Sequence, residues 1–96
     1  MIREGTFNFG FWVYNTLAKT DVSCAAFADK AGFDKSIVYV WKKTSVDPRL
    51  ASVVMACEVL STITGTDMDD LIIDALQHTH AYQTAKVRLG TGEGVE

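Results

Sequence analysis

The chain has 96 residues, 48% apolar and 22% charged, with no low-complexity tract, which fits one globular domain with a modest core. Its net charge of −3 weighs against a generally nucleic-acid-coating protein, yet the charge is uneven: residues 30–49 hold five basic and two acidic groups, a net of +3, and the remainder holds four basic and ten acidic groups, a net of −6. The longest apolar stretch, residues 50–57, is far too short to span a bilayer, and no basic segment leads an apolar one at the N-terminus, so neither a membrane segment nor a secretory signal is expected, and the cytoplasm is the expected compartment.

The single proline and the long helix-period stretches predict an all-α fold. Over residues 1–8 no element is assigned; Gly5 and Gly10 flank Phe7 and Phe9, which suggests an extended arm. Phe9, Val13 and Leu17 recur at i, i+4 and i+8 and predict a first helix over about 9–19, with Trp12 and Tyr14 widening its apolar face. Ser23 is placed to N-cap a second helix, Cys24–Ala31, and Gly32 to end it in the left-handed region. Asp34 is expected to cap a third helix, about 35–43. After a loop at 44–47, Asp47-Pro48 predicts a capping carboxylate and a proline at N1 of a fourth helix carrying Leu50, Val53, Val54, Cys57 and Leu60, broken at 61–65. Thr66 with Asp69 reads as a capping box for a fifth helix bearing Met68, Leu71, Ile72, Ala75 and Leu76. Helical character is expected to run on toward Leu89, so the single domain spans 1–89. The tail, 90–96, has three glycines in seven residues and is expected to be disordered.

Residues 23–43 read SCAAFADKAGFDKSIVYVWKK. Two short helices crossing steeply need a small residue at the crossing, which Ala28 supplies, and a tight turn with positive φ, which Gly32 supplies. Phe27 and Ala31 from the first helix, Phe33 from the turn, and Val38 and Trp41 from the second helix would plug the wedge between them. The intervals 28–32, 32–38 and 38–41 are those of a helix-turn-helix. The segment FADKAGFDKSIVYVW resembles the helix-turn-helix of the lambda-repressor-like family, also called the Cro/CI or XRE type, and GFDKSIVYVWKK is also similar to the matching part of the lambda CII activators. Asp47-Pro48-Arg49-Leu50 and the helix after it resemble the family's continuation, so the likeness covers about residues 12–76. It implies a five-helix domain that binds a double-stranded DNA operator, typically as a homodimer, in bacterial or temperate-phage gene control.

By that resemblance, Lys35 and Ser36 at the start of the third helix, with Tyr39 and Val40 one turn on, are the expected base contacts. Tyr39 and Val40 are larger and more apolar than is usual there, and thymine methyls or another protein would suit them. Lys42, Lys43 and Arg49 border the following loop and are expected on phosphate, as is Cys24, where many family members carry a glutamine. Met68, Leu71, Ile72, Ala75, Leu76 and Tyr82 are the expected dimer interface, because they follow a core that the first four helices already supply; Met68, Leu71, Ala75, His78, Tyr82, Ala85 and Leu89 fall on an alternating three-and-four spacing, whose apolar run His78 breaks. Cys24 and Cys57 have no metal-ligand spacing and are expected as free thiols. His78 and His80, at i and i+2, point to different helix faces, so no metal is expected. The carboxylates Asp67, Asp69 and Asp70 suit a helix N-terminus rather than acid–base chemistry. No nucleophile grouping and no phosphate loop stands out, so neither an enzyme nor a cofactor is expected. The alternative expectation is a protein-interaction module of the same fold, such as an antirepressor or an antitoxin-type partner, with weak or no operator binding.

Overall fold

The computed structural model describes residues 8–44 and 46–95, so the expected N-terminal arm over 1–7 lies outside the described residues. Among the described residues the chain is all-helical: α1 (Phe9–Ala18), α2 (Cys24–Ala31), α3 (Ile37–Lys43), α4 (Leu50–Thr64), α5 (Met68–Leu76) and α6 (His80–Val95). No helix among them is long and apolar enough to cross a membrane.

The core is built on α1. Phe9, Trp12, Val13 and Leu17 recur at three- and four-residue spacing and are all buried. Around them lie Phe27 and Ala28 of α2, Val38 and Trp41 of α3, Val53, Ala56, Cys57 and Leu60 of α4, and Leu71 and Ala75 of α5. A run of aromatic contacts threads this core. Phe27 meets Phe33 at 6.3 Å between centroids, and Phe33 meets Trp41 edge-on at 5.3 Å. Trp41 meets Phe9 edge-on at 4.9 Å, and Phe9 stacks on Trp12 at 5.6 Å. Each such pair adds about 0.5–1.5 kcal/mol beyond the area it buries, so the run ties α2, its turn and α3 to α1.

The approach of α1 to α3 is a backbone contact. A Cβ on Gly10 would fall 2.3 Å from the Lys42 nitrogen and 2.5 Å from the Trp41 carbonyl carbon. Gly10 is therefore the second residue of α1 and the seat of α3, not the flank of an arm. Asn8 fastens the same junction: its Oδ1 accepts from the Phe11 N–H at 2.9 Å, capping α1, and its Nδ2 donates to the Lys42 carbonyl at 3.0 Å, closing the end of α3.

Several caps differ from the sequence expectation. Ser23 does cap α2, accepting from the Ala26 N–H at 3.1 Å. Asp34, expected to cap a helix at 35, instead accepts from the N–H and Oγ–H of Ser36. This local turn competes with helix, so Lys35 and Ser36 precede α3 rather than open it. Asp47 does not cap α4, which starts at Leu50 behind Arg49 with no side-chain cap. Its carboxylate takes the N–H groups of His80 and Ala81 at 2.6 and 2.8 Å. Together with Thr79, whose Oγ1 accepts from the Tyr82 N–H and whose carbonyl accepts from the Gln83 N–H, Asp47 satisfies the first turn of α6. Thr66 is not the cap of α5; Asp67 is, accepting from the Asp69 and Asp70 N–H groups. A carboxylate there also meets the positive end of the helix dipole.

The helical stretch after α5 is a separate element. A turn at 77–79 redirects the chain, and α6 continues beyond Leu89 to Val95. Among the described residues no other helix packs broadly on α6. The radius of gyration is 14.2 Å and the long axis 48 Å, against about 12–13 Å for a compact chain of this length.

Candidate nucleic-acid interface

The turn between α2 and α3 follows from its residues. Gly32 has φ +80°, its N–H donates to the Asp29 carbonyl at 3.2 Å, and the Phe33 N–H donates to the Ala28 carbonyl at 2.8 Å. These are the two bonds of a Schellman end, which satisfies the last carbonyls of α2 and reverses the chain. Phe33 then drops onto Trp41 and Phe27. The buried side of α3 is set by Val38 and Trp41, which leaves Tyr39, Val40 and Lys43 outward.

On this outward side Tyr39 is 59% exposed and Val40 47%, so two large apolar side chains lie uncovered beside the exposed Lys35 and Ser36. Lys43 Nζ lies 5.1 Å over the Tyr39 ring, a side-chain contact that joins two of the sequence-predicted site residues. Ser36 has its hydroxyl proton committed to Asp34 Oδ1 at 2.8 Å, so its remaining capacity is to accept. Those bonds, with Lys35 adjacent, hold the Asp34 carboxyl below its ordinary pKa.

The other predicted phosphate contacts are dispersed. Lys42 is turned toward α1, with Nζ 4.1 Å over the Tyr14 ring and 5.1 Å over that of Phe11. Arg49 is exposed at the start of α4, and Cys24 is half-buried at the start of α2. Of the predicted dimer residues, Leu71 and Ala75 are buried in the chain's own core, and Met68 and Ile72 pack against it. They have little or no surface left for a second copy; of that set Leu76 remains exposed and Tyr82 half-exposed, with Ile73 beside them at 58% exposure. The reason is that α5 closes the core over α1 and α4, so the first four helices alone leave it open.

The thiols are both free. Burial, with the Asp74 charge nearby, pushes the Cys57 thiol up to about 11, so it stays protonated and inert at neutral pH. Among the described residues no cluster of three or more His, Cys, Asp or Glu side chains is placed to hold a metal ion. Sequence reasoning missed the partners of Lys42 and the role of Asp47 at the start of α6. Both depend on contacts between elements far apart in the chain, and no local pattern announces them. Scans of family models, curated proteins and solved structures found no match to this chain.

Proposed function

We propose that the chain is a sequence-specific double-stranded DNA-binding transcriptional regulator of the Cro/CI kind, of temperate-phage or prophage type, acting in the cytoplasm on an operator as a homodimer. The observation that carries this reading is the α2–Gly32–α3 unit: a Schellman turn at the position the motif requires, with Val38 and Trp41 buried and the opposite side of α3 uncovered. A helix held this way can enter a major groove, with Lys35, Ser36, Tyr39 and Val40 toward base edges and Lys43 toward phosphate. The local net charge of +3 over residues 30–49 supplies attraction for the DNA backbone. In this reading a second copy docks through the exposed Ile73 and Leu76 and the half-exposed Tyr82 rather than Leu71 or Ala75.

The test is a footprinting titration on duplex DNA from beside the protein's own gene, against a scrambled duplex, at two salt concentrations. Protection of two half-sites about one helical turn apart, lost steeply as salt rises, is the expected result. Equal affinity for both duplexes overturns the reading. The exposure of Tyr39 and Val40 favours one alternative, a module that uses the same face of α3 to bind a protein. That alternative predicts no footprint on either duplex.

A further inference from the structure

Beside α6 lies an open cleft of about 610 Å³. The C-terminal end of α3, the start of α1, the segment 46–48 and one side of α6 border it. Its apolar walls are Phe9, Trp41, Val46, Pro48 and Val87. Val46 is 73% exposed and Val87 67%, so these walls are not closed by the chain. The volume lies within the ~300–1,000 Å³ usual for sites that take an organic molecule.

The charge around the cleft is one-sided among the described residues. Lys42, Lys43 and Arg88 border it, and the single described acid is Asp47. Both Asp47 oxygens already accept the His80 and Ala81 N–H groups. Lys42 and Lys43 rest on the rings of Tyr14 and Tyr39. Among the described residues Arg88 is the one of these three cations with no ring beneath it, and its planar fork suits a carboxylate bidentately. An apolar trough with a guanidinium at its edge fits a molecule that is flat and apolar at one end and anionic at the other. A second copy's α6 fits less well, because its Lys86 and Arg88 would be brought against a rim that is already positive.

We infer that this cleft is a binding site for a small amphipathic organic anion, its apolar body against Trp41, Pro48 and Val87 and its carboxylate on Arg88. The site shares Lys43 with the proposed operator surface, but its apolar walls and Arg88 lie outside that surface, and it is tested without DNA. The experiment is an amide and indole NMR titration of the full chain with 2-naphthoate and, separately, with the neutral 2-naphthalenemethanol. The expected result is saturable shifts of the Trp41 indole N–H and of the Val87 and Arg88 amides. Affinity for the naphthoate should be at least tenfold higher than for the alcohol, and Arg88→Gln should remove that difference while leaving the spectrum of the core unchanged. Equal affinity for the two probes overturns the proposal, as do shifts confined to Tyr39 and Val40. Cleft resonances that move with protein concentration alone would assign the cleft to a second copy, and naphthoate binding that requires removal of residues 1–7 would assign it to the chain's own N-terminus; either result also overturns it.

Discussion

The indole N–H of Trp12 donates to Asp74 Oδ2 at 2.7 Å, joining α1 to α5 across 62 positions of sequence. Trp12 is almost wholly buried, and its one polar atom would be stranded without this acceptor. The bond has a charged acceptor but lies at the protein edge, where Asp74 is exposed, which places it near the low end of the range for charged partners. Asp74→Ala is expected to cost about 1–2 kcal/mol in urea unfolding, and Asp74→Asn less, because its amide oxygen can still accept. If Asp74→Ala unfolds at the parent's urea midpoint, water replaces the carboxylate and the bond contributes nothing net.

Asp47 caps α6 from a distance of 33 residues. Asp47→Ala is therefore expected to loosen the start of α6, at about the 0.5–2 kcal/mol of a lost N-cap, while leaving α4 intact. Hydrogen exchange reads this directly: protection should fall from Tyr82 onward and stay unchanged at Val53 and Val54. Loss of protection at the start of α4 instead would return Asp47 to the role that its position before Pro48 suggests.

Two glycines should respond differently to alanine. Gly32 has φ +80° but open space around it, so Gly32→Ala meets only backbone strain, about 1–2 kcal/mol. Gly10 has ordinary helical geometry, yet its added Cβ would collide with the α3 backbone. Backbone cannot step aside as a side-chain tip can, so Gly10→Ala should cost at least the upper part of the 1–3 kcal/mol of an overpacked core, about 3 kcal/mol. Thermal melts of the two variants rank them, and a Gly32→Ala that melts below Gly10→Ala contradicts the α1–α3 contact.

That contrast marks how far the sequence could be read. Periodicity and local caps placed Phe9, Val13 and Leu17 on one face of α1, bounded α2 between Ser23 and Gly32, and put Val38 and Trp41 in the core. All of these are settled within a few residues. Gly10, Asp47 and Lys42 were not legible, because their partners are 28 or more positions away. Asp34 misled for a related reason: an Asp two residues before a backbone N–H serves a local turn as well as a helix cap, and composition does not decide between them. The exposure of Tyr39, Val40 and Lys43 was legible because they are the complement of the buried face of α3; Lys35 and Ser36 are exposed in the turn before it.

The cysteines should separate cleanly by reactivity. Cys24 is half-exposed and Cys57 is fully buried with its thiol pushed to about 11. In native buffer at pH 8 an aromatic disulfide reagent is expected to titrate one thiol, Cys24, and to reach Cys57 only on unfolding. The same shift has a linkage consequence. An unfolded thiol ionises near the usual 9.0, so the stabilising contribution of Cys57 is complete below that pH and is lost as pH rises through about 11. Cys57→Ala should flatten the fall in stability between those two pH values; an unchanged slope would place the alkaline sensitivity elsewhere.

The last prediction separates two neighbouring lysines. On the proposed operator reading Lys42 and Lys43 are both phosphate contacts by sequence, but they are held differently. Lys42 Nζ sits 4.1 Å over Tyr14 and 5.1 Å over Phe11, on the α1 side, and meeting DNA would require leaving both rings. Lys43 Nζ lies over Tyr39 on the uncovered side of α3 and can turn to a phosphate while its stem stays on that ring. Lys43→Ala should therefore weaken operator and non-specific duplex alike and reduce the slope of log affinity against log salt by about 1. Lys42→Ala should leave that slope nearly unchanged and act instead on stability, through lost packing against α1. Tyr39→Ala should lower operator affinity by about 1–3 kcal/mol with little effect on scrambled DNA, as a base-facing side chain does. Salt titrations of the three variants against the parent decide it. If Lys42→Ala lowers the slope as much as Lys43→Ala does, the lysine leaves its rings on binding, and α1 rather than α3 alone borders the DNA.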